Sequence, residues 1–421
     1  MNLKRTILMV LSLVALSIIM IGCSKNPTSN SSNSSKNEGN KAVEVRVGYP
    51  AGDVAAGKFM EELIDEFNND HEDIKIKGEP ISGDYNDSIK TQMASNTEPD
   101  IISLDPQLFP SMVDANKLLP LDDFMGDYDL DDFEENLLQA TTYQDQLYGL
   151  PIDYNTLALF YNETMLEEAG VQVPKTWEEL VEAATKLTSD NVKGLVLQNE
   201  LPRFQPLFYS NGGSMMDGDK PKVNSKENVE ALEYWISLFK KGIASTPADL
   251  GVGWDGDAFA QGLAAMTIEG NWMSGYIEEL DPNLKYGIAQ IPMSKEYASM
   301  AFTGSFSVSN STKNKEAATE FLKFIASERG ILAKVEQGNG GVIPARKSLK
   351  DGFLEKYPVK QAFIDAVQES SAFSYGMISP VVIKAMNDAA ESLLLDDKAD
   401  TQTVLDEVQK ELDAELEKIG Q

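Results

Sequence analysis

The sequence predicts an α/β protein with largely parallel sheets, spread over more than one domain. Three observations carry this. Apolar residues alternate with period two in short runs, those runs are separated by helical stripes of period 3.6, and the chain of 421 residues is longer than one core serves at roughly 150 residues per domain. Hydrophobic residues make up 42% of the chain, enough to bury sizeable cores. No internal repeat is visible.

The first element is a strand with one buried face, Val43, Val45, Val47 and Tyr49. A Gly-containing turn follows, then a helical stripe at Met60, Leu63, Ile64 and Phe67. Strand signals recur at Ile74–Ile76, Ile101–Leu104, Leu195–Leu197, Ala264–Ile268, Tyr286–Ile291 and Phe306–Ser309. Helices intervene. Thr176 and Glu179 read as a capping box before Leu180, Val181, Ala184 and Leu187. Val229, Leu232, Ile236 and Phe239 form a stripe with Gly242 as its stop, and Ala317, Phe321, Leu322 and Ile325 form another closed by Gly330. Leu405, Val408, Leu412, Leu416 and Ile419 make a last helix that either docks on its own domain or serves a coiled-coil partner.

At the N-terminus, Lys4 and Arg5 precede an apolar run from Ile7 to Ile21 that ends in Gly22-Cys23-Ser24. This resembles a bacterial lipoprotein signal peptide over residues 1–22, with Cys23 as the acylated residue; a single transmembrane anchor is the alternative. Met20 stands where such signals usually carry Leu. Residues 23–42 then form a polar tether, which holds no large apolar side chain between 24 and 41 and has a root-mean-square reach of about 21–25 Å. The expected location is extracytoplasmic, on the membrane through a lipid at Cys23. No later stretch is apolar for the ~18 residues of a membrane span.

Composition excludes several classes. With 36 Lys+Arg against 67 Asp+Glu the formal charge is −31, which repels nucleic acid and anionic lipid. One cysteine rules out an internal disulfide framework and a cysteine zinc site, and one histidine, His71, rules out sites that need two. His71 lies in the polar stretch Asn68–Asp73 and reads as a surface loop residue.

Enzymatic motifs fail on inspection. Gly52-Asp53-Val54-Ala55-Ala56-Gly57-Lys58 follows a strand and opens a helix as a phosphate-binding loop would, but Phe59 stands where Ser or Thr must bind magnesium. Asp127, Asp129 and Asp131 start like a calcium loop that Asp132 and Leu138 then break. No G-x-S-x-G or HExxH occurs. Paired carboxylates stay open by number alone, so a surface glycoside hydrolase is the competing class. The expectation is a monomer that is not an enzyme and needs no metal or cofactor.

Four segments in order carry a family resemblance. They are Tyr148-Gly149-Leu150-Pro151 through Leu159–Asn162 to Ala169-Gly170 and Pro174–Leu180; Asn211-Gly212-Gly213 with Val223-Asn224-Ser225 and Lys240-Lys241-Gly242; Ala258–Gly262 to Ala265-Met266 and Gly270-Asn271-Trp272; and Ala317-Ala318 to Phe324 with Gly340–Pro344. Together they resemble the maltose-binding-protein-like solute-binding proteins of bacterial ABC sugar importers. The resemblance implies two α/β lobes joined by a hinge that the chain crosses three times. Lobe one takes 43–152 and 300–343, and lobe two takes 153–299 and 344–421. It also implies a carbohydrate bound between the lobes and delivered to the transmembrane subunits of an ABC permease; a non-sugar solute is the alternative within binding.

A pyranose needs a flat aromatic for its C–H face and charge-assisted acceptors for its hydroxyls. Trp272 matches the family's Gly-x-Trp position, with a core role as its alternative, and Trp254, between Gly253 and Gly256, is either a second platform or an exposed loop residue. Trp177 and Trp235 read as structural. Asp153, Tyr154 and Asn155 fall where the resembled proteins cross between lobes. Asp105 ends a strand and so faces the crevice. Asp53, Glu200 and Glu269 are further acids expected at strand ends or in the first turn, and Arg346 is expected to pair with an acid.

Overall fold

The computed structural model describes residues 42–420, so Cys23, the signal peptide and most of the tether lie outside the described residues. Among the described residues no helix is long and apolar enough to cross a membrane.

One long sheet runs through the body in the order Ala244–Ser245, Lys193–Val196, Ala264–Gly270, Gly149–Asn162, Ser299–Val308, Ile101–Ser103, Val43–Pro50 and Ile74–Ile81. Toward both ends its strands pair parallel, Val45 opposite Ile76 at one end and Ala244 opposite Leu195 at the other. The two middle strands, Gly149–Asn162 and Ser299–Val308, pair antiparallel and belong to both lobes. On the first of these, Leu150, Ile152, Tyr154, Ala158 and Phe160 enter one core, while Leu157 and Leu159 enter a second. This strand was not among the expected ones. Twelve of its first twelve positions are buried, so it lacks the polar alternation by which the others are read.

The first core gathers Val45, Val47, Phe59, Leu63 and Phe321; the second gathers Leu180, Leu195, Phe204, Trp235 and Val382. The fold is therefore two α/β lobes on a shared hinge. Beyond Pro344, Ala345, Phe353, Phe363 and Val367 still pack in the first core, and the chain reaches the second only with Tyr375 and Ile378. That is its third passage. Trp235 is fully buried with Nε1 donating to Asn199 Oδ1 at 2.9 Å, and Trp177 is stacked on Tyr234 at 4.1 Å. The Thr401–Ile419 helix docks on the second core through Leu405, Val408 and Leu412.

Several local expectations shift. Thr176 caps Glu179 N–H at 3.2 Å, but Glu179 reaches back to Lys175 N–H, one residue earlier than a capping box requires. Gly330 does not close the stripe that ends at Ile325. It sits in the first turn of a second helix, Glu328–Gln337, where a Cβ would collide with the Ile325 carbonyl, so the tight helix-to-helix turn selects glycine. His71 is not a free loop residue: it ends the Val54–Asp70 helix, stacks on Phe67 at 3.8 Å and lies 3.3 Å from Glu320. Arg346 pairs with Asp132 at 3.0 Å and covers Phe133.

Candidate ligand cleft

A cavity of about 970 Å³ opens where the first helix, the Trp272–Leu280 helix and the segment 334–342 meet. Its walls include Asp53 and Ala55 at the start of the first helix, Trp272 and Tyr276 on the Trp272–Leu280 helix, and Lys334 and Asn339. Asp53 is here because it caps the Val54–Asp70 helix, its Oδ1 accepting from Ala56 N–H at 2.9 Å. A carboxylate thus occupies the helix N-terminus that a phosphate-binding loop would offer to phosphate.

Trp272 is half-buried and starts its helix two residues after the Ala264–Gly270 strand. Its six-membered ring lies against Gly270, where a Cβ would overlap three ring carbons. The Gly-x-Trp pattern has a physical reason: only glycine lets the indole fold flat onto the backbone. The same device repeats at Trp254, whose ring lies over Gly256. Trp254 is half-buried and meets the edge of Tyr276 at 4.7 Å, and the Tyr276 hydroxyl donates to Asp257 Oδ1. Phe302 packs edge-on against Trp272 at 5.6 Å, and the Arg203 guanidinium lies 5.7 Å from its ring.

The two hinge strands carry the next expected residues. Asp153 is opposite Gly304 and Asn155 opposite Phe302, so both side chains share the face on which Phe302 meets Trp272. Asp153 Oδ1 accepts from Gly304 N–H at 3.1 Å, at a bulge in the partner strand, and a Cβ on Gly304 would sit 2.6 Å from that oxygen. Burial pushes the Asp153 carboxyl above the usual range; Lys334 opposes the rise, and the charges of Asp53 and Asp105 add to it. Asn155 is nearly buried, with Oδ1 unpartnered among the described residues. Asp105 is exposed at the start of a single turn, Pro106–Leu108, and accepts from Asn86 Nδ2 at 2.9 Å.

Of the expected residues, Trp272 and Asp53 line this cavity, and three others, Tyr154, Glu200 and Glu269, lie apart from it or are closed off from it. Tyr154 is fully buried in the first core, because strand alternation turns it to the face opposite Asp153 and Asn155. Glu200 lines a separate cavity of about 770 Å³ with Asn199, Lys240 and Asn387, and accepts from Gln198 Nε2 at 2.9 Å. Glu269 is fully buried beside the Trp272 site rather than open to the cavity: Oε1 takes both Nε and Nη2 of Arg203, at 2.9 and 2.7 Å, and Oε2 accepts from Gly270 N–H at 3.0 Å.

Sequence reasoning missed Arg203, Asp255, Tyr276 and Lys334. With 67 acids in the chain a carboxylate is a weak signal for a site; the five arginines are a sharper one, since one of them, Arg203, lies against Trp272.

Two hinged α/β lobes with an aromatic-walled cleft define a solute-binding protein. The chain belongs to the bacterial extracellular solute-binding protein family, whose model matches residues 51–331. It is 24% identical over 392 residues to the galactooligosaccharide-binding protein of Bacillus subtilis, covering 88% of this chain and 86% of that protein. It is 24% identical over 340 residues to the maltotriose-binding protein of Pyrococcus abyssi, covering 78% of this chain and 73% of that one. The fold matches an ABC substrate-binding protein of Listeria monocytogenes, solved in complex with cycloalternan, with a TM-score of 0.79, 23% identity and coverage of 89% and 99%.

Proposed function

We propose that this chain binds a neutral disaccharide or oligosaccharide between its lobes and delivers it to the transmembrane subunits of an ABC permease. The observation that carries the reading is the half-exposed Trp272 indole, laid flat on Gly270 at the wall of a cavity that Asp53 lines from the other side, with Trp254 laid on Gly256 in the same way against Tyr276 of that wall. Flat apolar faces and charged acceptors are what a pyranose requires. The galactooligosaccharide-binding and maltotriose-binding relatives support a carbohydrate. The site set is Trp272, Trp254, Asp153, Asn155, Asp53 and Asp105.

Lobe one comprises 43–152 and 300–343, and the packing of 345–367 in the first core supports extending it to about residue 367. Lobe two comprises 153–299 and the C-terminal helices from Tyr375. The body works as a monomer, held at the outer membrane face by a lipid on Cys23 after removal of residues 1–22. It catalyses no step.

Thermal-shift screening of the body from residue 42 against a sugar panel tests this, because a ligand of the native state stabilises it by RT ln(1 + [L]/Kd). A shift with one or more neutral sugars, each recovered intact after prolonged incubation, is expected. No shift with any sugar refutes carbohydrate binding, and accumulation of hydrolysed product refutes a pure binder.

A further inference from the structure

The side of Trp272 that meets Arg203 holds a buried ionic cluster with an unusual composition. Arg203 spends Nε and Nη2 on a single oxygen of Glu269, leaving Nη1 with no hydrogen-bond partner among the described residues. The Arg203 side chain is still slightly exposed, whereas Glu269 has no exposed side-chain surface. Behind Glu269 lies Asp255, also fully buried, with Oδ2 accepting from Gln198 N–H at 3.2 Å and Oδ1 without a donor. Two buried carboxylates and one guanidinium would leave a net negative charge out of water, a costly arrangement. A proton between the two acids removes the excess and satisfies the orphaned oxygen.

We propose that Arg203 is a further ligand-contacting residue, donating Nη1 to a hydroxyl of a neutral sugar ring seated on Trp272, and that the Asp255–Glu269 pair is the positioning element that aims it. This rests on the sugar-binding reading above. Glu269 is itself fixed by Gly270 N–H, the residue on which the Trp272 ring lies, so one short segment places both the stacking surface and the donor. The charge balance sets the ligand class. Arg203 is neutralised by Glu269 and Asp255 carries a proton, so the donor offers direction without net attraction for an anion, while the cavity that Trp272 lines carries three acids, Asp53, Glu278 and Glu279, against one base, Lys334, and so repels one.

Burial, together with Glu269, pushes the Asp255 carboxyl up to about 8. Glu269 faces it from the neighbouring strand and Arg203 from the Leu201–Ser210 helix. Asp257, two residues on, is engaged elsewhere, with Gly253 N–H and the Tyr276 hydroxyl. Once Asp255 ionises, two carboxylates compete for Arg203, and Nη1 is drawn inward from the ligand.

The test is calorimetric titration of the body with maltotriose, galactotriose and cycloalternan, followed by variants on the tightest of them. Arg203→Lys keeps the charge but loses the fork, and affinity falls about tenfold or more, as for a lost hydrogen bond to a charged group. The double variant R203M/E269M removes both charges together, keeps the fold and loses the same affinity. For wild-type protein, affinity falls from about pH 7 to about pH 9.5, and Asp255→Asn abolishes that fall while leaving the Lys360 ammonium, which burial lowers to about 8, free to titrate as before. Unchanged affinity in Arg203→Lys, or a wild-type profile flat over that pH range, overturns the proposal and leaves the sugar reading standing. If wild-type protein binds neither these three nor any other sugar of the thermal-shift panel at any pH, both fall.

Discussion

Gly270 and Trp272 are in direct face contact: the indole's six-membered ring covers the spot where any other residue at 270 would carry its Cβ. The strand that ends at Gly270 and the helix that starts at Trp272 thereby hold the ring at a fixed tilt beside the cavity. Gly270→Ala forces the ring off the backbone and shifts it where it packs against the edges of both cores. Its expected effect is a changed tryptophan emission and a loss of sugar affinity comparable to Trp272→Ala, on the order of 1–3 kcal/mol for a lost aromatic anchor. Calorimetry on both variants checks this. Wild-type affinity in Gly270→Ala would mean that the ring's tilt is irrelevant to the ligand.

Asp255 gives a stability signature that needs no ligand. Its folded carboxyl sits at about 8, above the unfolded value near 3.8, so the native state holds the proton more tightly. That contribution is fully present below about pH 4 and is lost as pH rises toward 8. Asp255→Asn keeps a donor for Glu269 and an acceptor for Gln198 N–H but cannot ionise. The variant is expected to gain stability relative to wild type steadily from about pH 4 to about pH 8, and to level off above. Urea unfolding at several pH values measures the difference; a gap that stays constant with pH would show Asp255 ionised in the fold.

Much of this architecture was legible because half-buried elements advertise their period. The Val43–Pro50 strand and the Val54–Asp70 helix each show one apolar face. The Gly149–Asn162 strand was not legible as a strand, since it is buried on both faces and crosses two cores, and its Gly-Leu-Pro start was visible only as a family resemblance. At the site, the placement of Trp272 on glycine is foreshadowed by Gly-x-Trp, yet the sense of alternation that hides Tyr154 and turns Asp153 and Asn155 to the face of Phe302 depends on register with Ser299–Val308. Glu269 looked like a solvated strand-end acid. Only the fold brings Arg203, distant in sequence, against it.

Cys23 carries the proposed anchor. It is the single cysteine, directly after the apolar run. Cys23→Ser is expected to abolish lipid labelling and to leave an unprocessed precursor that retains residues 1–22. Radiolabelled fatty acid followed by gel mobility reads both outcomes, and normal labelling of the variant would refute the lipoprotein assignment.

The central claim is that a sugar is held between two lobes that close on it. A ligand touching Asp53 on one side and Trp272 on the other favours the closed form, because only closure completes both sets of contacts. Moving a 1:99 ratio to 99:1 needs about 5.5 kcal/mol of differential binding, within the roughly 8 kcal/mol of a micromolar complex. Small-angle scattering of the body from residue 42, with and without saturating amounts of the sugar that gives the largest thermal shift, tests this most directly. A smaller radius of gyration in the loaded protein is the expected result; a loaded profile superimposable on the empty one would contradict closure and leave a static pocket.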